Sequence, residues 1–119
     1  SSNTTLHGHV SVEHAFSETD VHILIVESTG SWGRVINEAG LFSIPTVSCS
    51  IGSQPEAVGK GGVIIQDHHN LQLFEQALRD CWSERHHLGK LANEHSGATD
   101  HRRSIAIFRS LLEDIVSET

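Results

Sequence analysis

Two charged side chains stand where a small loop runs into a helix. In "SWGRVINEAG" (31–40), Arg34 and Glu38 lie at i, i+4 and share one helical face. Ahead of them, Gly30, Ser31 and Gly33 allow the backbone to approach a ligand closely. The unpaired N–H groups of a first helical turn favour an anion such as phosphate. Arg34 opposes the helix dipole at that end, so a nearby anion would give it a reason to be there. A carboxylate at Glu38 can accept two hydrogen bonds from a diol such as a ribose. The same spacing equally describes an ordinary Arg–Glu surface pair worth a few tenths of a kcal/mol. A second glycine-bearing loop, "SIGSQPEAVGKGG" (50–62), offers Gly52 and Ser53 as further N–H donors. Glu56 in its first turn favours the helix dipole and reads as readily as a capping residue.

The ten histidines are the other candidates for chemistry. His7 and His9 would share one strand face, while His68–His69 and His86–His87 are adjacent pairs. No spacing such as HExxH makes them converge, so they read as solvated surface groups with no metal site. Their main expected effect is a positive charge that grows below about pH 6.5. Cys49 falls in a strand and Cys81 in a helix, and both read as buried thiols in a reducing compartment, with the cytoplasm as the expected location.

These residues need a scaffold, and the apolar pattern describes one. "VHILIV" (21–26) is apolar at nearly every position, as a strand covered on both faces should be. "LHGHV" (6–10) reads as the end of a strand entering a glycine turn. Ser11 caps two helical turns carrying Val12, Ala15 and Phe16 on one face. Arg34 to Phe42 forms the next helix, with Val35, Ala39 and Phe42 in phase. Thr46 to Ser50 is a strand, Pro55 starts a short turn of helix ended by Gly59, and "GVIIQD" is another strand. Asn70 caps a long helix from Leu71 to roughly Glu84. "SGATD" (96–100) reads as a break, and His101 to Val116 carries Ile105, Phe108, Leu111, Leu112, Ile115 and Val116 along one stripe.

Alternating strands and helices predict an α/β fold, a Rossmann-like parallel sheet of about four strands with helices on both faces. The chain has 119 residues, enough for one domain spanning 1–119. Its net charge of −7 argues against nucleic acid as partner. No run reaches the length of a membrane span, and no basic-then-apolar leader suggests secretion.

Taken together, "SWGRVINEAGLFSIPTVSCSIGSQPEAVGKGGVII" resembles the C-terminal, donor-binding domain of retaining glycosyltransferases of the GT-B fold, family 4 type. Trp32-Gly33 match that family's aromatic–glycine pair, and Glu38-Ala39 match the second glutamate of its motif. Ile44-Pro45-Thr46-Val47 match its strand opening, and Gly52, Pro55 and Glu56 match the following loop. "DHHNLQLFEQALRD" is similar to its next helix, so the resemblance covers nearly the whole chain. The first motif glutamate is replaced by Gly30, the second loop glycine by Ser53, and the usual Pro-Ser after the strand by Val26-Glu27.

The resemblance implies a UDP- or GDP-linked sugar donor, a hexosyl transfer with retention and no further cofactor. It implies that Glu38 binds ribose hydroxyls and that the backbone from Trp32 through Arg34 to Val35, preceded by Gly30 and Ser31, meets the diphosphate. Gly52 and Ser53 would line the opposite wall. It also implies that an acceptor domain and two strand–helix units belong before residue 1. This chain would then be an incomplete GT-B C-terminal domain, inactive by itself and completed by a homodimer partner or a missing N-terminal half. A non-catalytic assembly module derived from the same fold is the alternative.

Overall fold

The computed structural model describes residues 4–27, 34–99 and 101–117, and side chains for all of these except 99 and 101–107. The elements run α1 (Val12–Ser17), β1 (His22–Leu24), α2 (Arg34–Leu41), β2 (Thr46–Cys49) and α3 (Gln54–Val58). They continue with β3 (Gly62–Ile65), α4 (Leu71–Ser83), α5 (Arg85–Thr99) and α6 (His101–Ser117). The three strands form an open parallel sheet in the order β1-β2-β3. Val47 of β2 lies between Ile23 of β1 and Val63 of β3.

Side chains alternate across the pleat, so each strand feeds two different cores. On one face Val47 and Ile65 meet Ala77 and Cys81 of α4, with Val21, Ile25, Val63, Phe74, Leu78 and Leu88 around them. On the other, Leu24 and Ile64 pack with Ile36 of α2 and with Ala57 and Val58 of α3. Helices therefore cover both faces, as a parallel sheet requires. The central strand is buried throughout and still carries two hydroxyls. Both are satisfied across the ladder: Ser48 Oγ donates to the Leu24 carbonyl at 2.7 Å, and Thr46 Oγ1 meets His22 Nδ1 at 3.0 Å.

Three expectations change. Residues 6–10 form no strand, and Leu6 is 93% exposed. A strand exists only with a neighbour to accept its ladder, and the described sheet has three strands rather than four. Second, residues 96–99 of "SGATD" are helical, because α5 continues to Thr99, and Asp100 lies outside the described residues. Ser96 is buried beneath Gly40 of α2, so the small residue serves a close helix crossing rather than a turn. Third, α6 has the expected length, yet Phe108, Leu111, Leu112, Ile115 and Val116 are all exposed instead of closing on the core. Helical periodicity defines an apolar stripe but not the surface that it meets. Among the described residues, no helix is long and apolar enough to cross a membrane.

Helix α5 is placed by glycines. A side chain at Gly61 would strike the backbone of Ala92, and one at Gly89 would strike the Ser43 carbonyl. Asn93 Nδ2 then donates to the Leu41 carbonyl at 3.1 Å, satisfying the end of α2. Residues 43–45 and Gly61 precede β2 and β3, so α5 crosses the amino-terminal end of the sheet. Helix α5 thus lies at the end opposite the carboxyl ends of the strands.

Helix α1 is capped by Ser11, whose Oγ accepts from His14 N at 3.1 Å, and it delivers Phe16 into a cluster with Ala39 and Ile44. The Phe16 ring meets His22 edge-on at 5.7 Å. Burial pushes the His22 imidazole below its ordinary value of 6.5, because the charged form would lose its water. The folded state thus binds this proton less tightly than the unfolded chain. Its contribution to stability is fully present above about pH 6.5 and is lost as pH falls through the lowered folded value. Urea midpoints are expected to fall on acidification from about pH 7.5 to pH 5.5, with a shallower fall in His22→Gln. An identical pH slope in the two proteins would rule this group out.

Candidate functional site

Ligands of open parallel sheets bind beyond the carboxyl ends of the strands, where each chain leaves for a helix. Three stretches of chain gather there: residues 25–27 after β1, residues 50–53 leading to α3, and residues 66–70 leading to α4. Ser50 Oγ donates to the Gln66 carbonyl at 3.4 Å and ties the second connection to the third. The first is tied to the second by sulfur. Val26 N donates to Cys49 Sγ at 3.5 Å, and the same thiol lies 3.5 Å from the Val26 carbonyl as a donor. Beyond Leu24 the regular ladder ends, and the Cys49 thiol carries the contact to Val26. Both cysteines are free and buried, as their positions in the sequence imply. Burial also pushes the Cys81 thiol up to about 11, so it stays protonated at neutral pH.

Of the expected donor-site residues, Gly30, Ser31, Trp32 and Gly33 lie outside the described residues. Arg34 and Glu38 do pair, with Nε and Oε1 3.6 Å apart, and Arg34 is mostly solvent-exposed. A pair of that length and exposure adds little to stability. Val35 turns its side chain toward the Phe16 cluster, leaving only its backbone for a ligand. Gly52 adopts φ 59°, a left-handed conformation that glycine takes without strain, and it turns the chain into α3. Ser53 stands at the start of α3, its carbonyl accepting from Ala57 N at 2.9 Å. Pro55 falls in the first turn and Gly59 ends the helix, both as the sequence implies. Glu56 is exposed in that first turn, which suits a dipole role.

Two features of this end escape a reading by motif. Asn37 Nδ2 donates to the Ala57 carbonyl at 3.1 Å and locks α2 to α3, the two helices that flank the site. Gln54 is buried at the start of α3, and its Oε1 has no partner among the described residues. A buried acceptor of this kind calls for a donor.

The third feature corrects an expectation. His68 and His69 converge on Glu27 rather than lying scattered, and although His69 is exposed as expected, His68 is not. His68 Nε2 lies 3.1 Å from Glu27 Oε1 with its side chain only 10% exposed, and His69 Nε2 lies 3.7 Å from Glu27 Oε2. Glu27 follows β1 and the histidines follow β3, so the central strand separates them. Neighbouring strands stand about 4.8 Å apart, so these long side chains need to span only about 10 Å across the sheet end. The sequence signal was a histidine pair immediately after an apolar strand. Its partner depends on strand order, which spacing alone does not reveal.

Comparison with protein-family models and with curated proteins finds no match for this chain.

Proposed function

We infer that this chain is the nucleotide-sugar-binding part of a glycosyltransferase that transfers a hexosyl group with retention from a UDP- or GDP-linked donor. One observation carries the reading. Helix α2, which follows β1 and bears Arg34 and Glu38, and the connection after β2, which bears Gly52 and Ser53, follow adjacent parallel strands. The motif resemblance covers both, running from α2 through β3.

In this reading Arg34 is the cation that meets the donor diphosphate, and Glu38 leaves its weak pair with Arg34 to accept the ribose hydroxyls. The buried Gln54 Oε1 supplies an acceptor for a further N–H or O–H group at the same end. Departure of a nucleoside diphosphate is then assisted by positioned donors and a fixed positive charge. Gly30 removes one carboxylate of the family motif, and the acceptor must be held by another domain, so binding rather than turnover is the activity expected of the isolated chain.

The second reading is a non-catalytic assembly module on the same scaffold. The exposed apolar stripe of α6 favours it, because five large side chains there await a second copy or a missing half of a larger protein.

Calorimetric titration with UDP and GDP distinguishes the two. Saturable micromolar binding that Glu38→Ala weakens by tenfold or more supports the donor site. Absence of binding at millimolar nucleotide, or binding indifferent to Glu38→Ala, would leave the assembly module.

A further inference from the structure

The geometry points to a second site at this end of the sheet: Glu27, His68 and His69 bind a divalent transition-metal cation of the zinc class. This site stands on the described geometry alone and not on the donor reading. An ordinary histidine–carboxylate contact uses one ring. Here two consecutive residues turn the same nitrogen, Nε2, toward the two oxygens of one carboxylate.

One ligand atom from each of the three residues lies within 4.8 Å of the other two. In a tetrahedral zinc site with bonds of about 2.0–2.1 Å, ligand atoms stand roughly 3.3 Å apart. His68 Nε2 stands 3.1 Å from Glu27 Oε1, close to that spacing, and His69 Nε2 stands 3.7 Å from the other oxygen, Oε2, so side-chain rotation brings the third ligand onto a shared ion. Two imidazoles and a carboxylate are borderline-to-hard donors that suit zinc, cobalt or nickel rather than calcium or magnesium. Three protein ligands leave one position of a tetrahedron open for water or a ligand oxygen, the pattern of reactive rather than purely structural zinc sites.

The backbone holds these groups before any ion arrives. His69 N donates to Asp67 Oδ1 at 3.2 Å, and Asn70 N donates to the Asp67 carbonyl at 3.1 Å. Asn70 Oδ1 then accepts from Gln72 N and Leu73 N, so the histidine turn is continuous with the capped start of α4. The two rings lie 4.3 Å apart at 37°, so their planes are set together. On the far side, Glu27 directly follows the Val26–Cys49 contact. His68 is nearly enclosed, whereas His69 and Glu27 are 72% and 71% exposed, which gives a cation a path from solvent.

The test uses the untagged full chain, stripped of metal by chelator, with zinc and cobalt ions as probes and no nucleotide present. Calorimetry should show one zinc bound per chain at micromolar affinity or tighter, and cobalt should give the intense visible bands of a tetrahedral complex. Glu27→Gln, His68→Gln and His69→Gln should each weaken binding by about tenfold or more. His86→Gln/His87→Gln, at the exposed pair on α5, should leave it within about twofold. Because His69 is exposed, loss of binding in His69→Gln with unchanged circular dichroism is not an unfolding effect. Absence of saturable one-to-one binding would overturn the site, as would wild-type affinity in the folded triple variant. Failure here leaves the UDP and GDP titration untouched, and failure there leaves this site untouched.

Discussion

Gly61→Ala should destabilise the protein by about 2–3 kcal/mol, although it adds a single methyl group. The new Cβ would sit against the backbone of Ala92 in α5, 2.7 Å from its nitrogen and closer still to its Cα. Backbone atoms cannot rotate away as a side chain can, so the helix must shift. Shifting α5 strains its other close contacts, Gly40 against Ser96 and Gly89 against Ser43. The control lies in the same helix. Gly97 has open space where its Cβ would be, so Gly97→Ala should stabilise by roughly 0.5–1 kcal/mol through helix propensity. Urea unfolding of both variants measures the pair of opposite signs. Two changes of the same sign, or a Gly61→Ala effect below about 0.5 kcal/mol, would show that α5 does not dock as described.

Phe16→Ala should cost about 3 kcal/mol, a large share of the margin available to a domain of this size. The ring is 8% exposed, touches Ala39 and Ile44, and lies 5.7 Å from the rings of both His22 and Phe42. Helix α1 has six residues and holds itself by the Ser11 cap, so this ring is its main anchor to the sheet. Hydrogen exchange across residues 12–17 should therefore rise more than exchange in β2. A loss under about 1 kcal/mol would mean that α1 packs independently of Phe16.

How far the sequence disclosed this molecule depends on the distance between the residues that decide each feature. The caps at Ser11 and Asn70, the stop at Gly59 and the helix from Leu71 follow from neighbours a few positions apart, and all appear as expected. Residues 6–10 have strand-like composition, but pairing is a long-range matter and no partner strand meets them among the described residues. Gly97 looks like a breaker until Ser96 and Ala92 are seen beneath α2 and before β3. Propensity there is worth about 1 kcal/mol and yields to packing. At the candidate site, Arg34 and Glu38 are near neighbours and could be paired by counting residues. Glu27 and His68 are 41 positions apart, and only the strand order β1-β2-β3 brings them together.

Helix α6 has a consequence for how association is measured. A compact chain of this length has a radius of gyration of roughly 13.5 Å. This one has 16.8 Å and extents of 63 × 28 × 27 Å, with α6 meeting the remainder through α5. A rod-ended particle drags more solvent than a sphere of equal mass and leaves a sizing column early. A single copy would therefore elute like a pair. Association through the apolar stripe must be read by light scattering or sedimentation equilibrium, which weigh the particle whatever its outline.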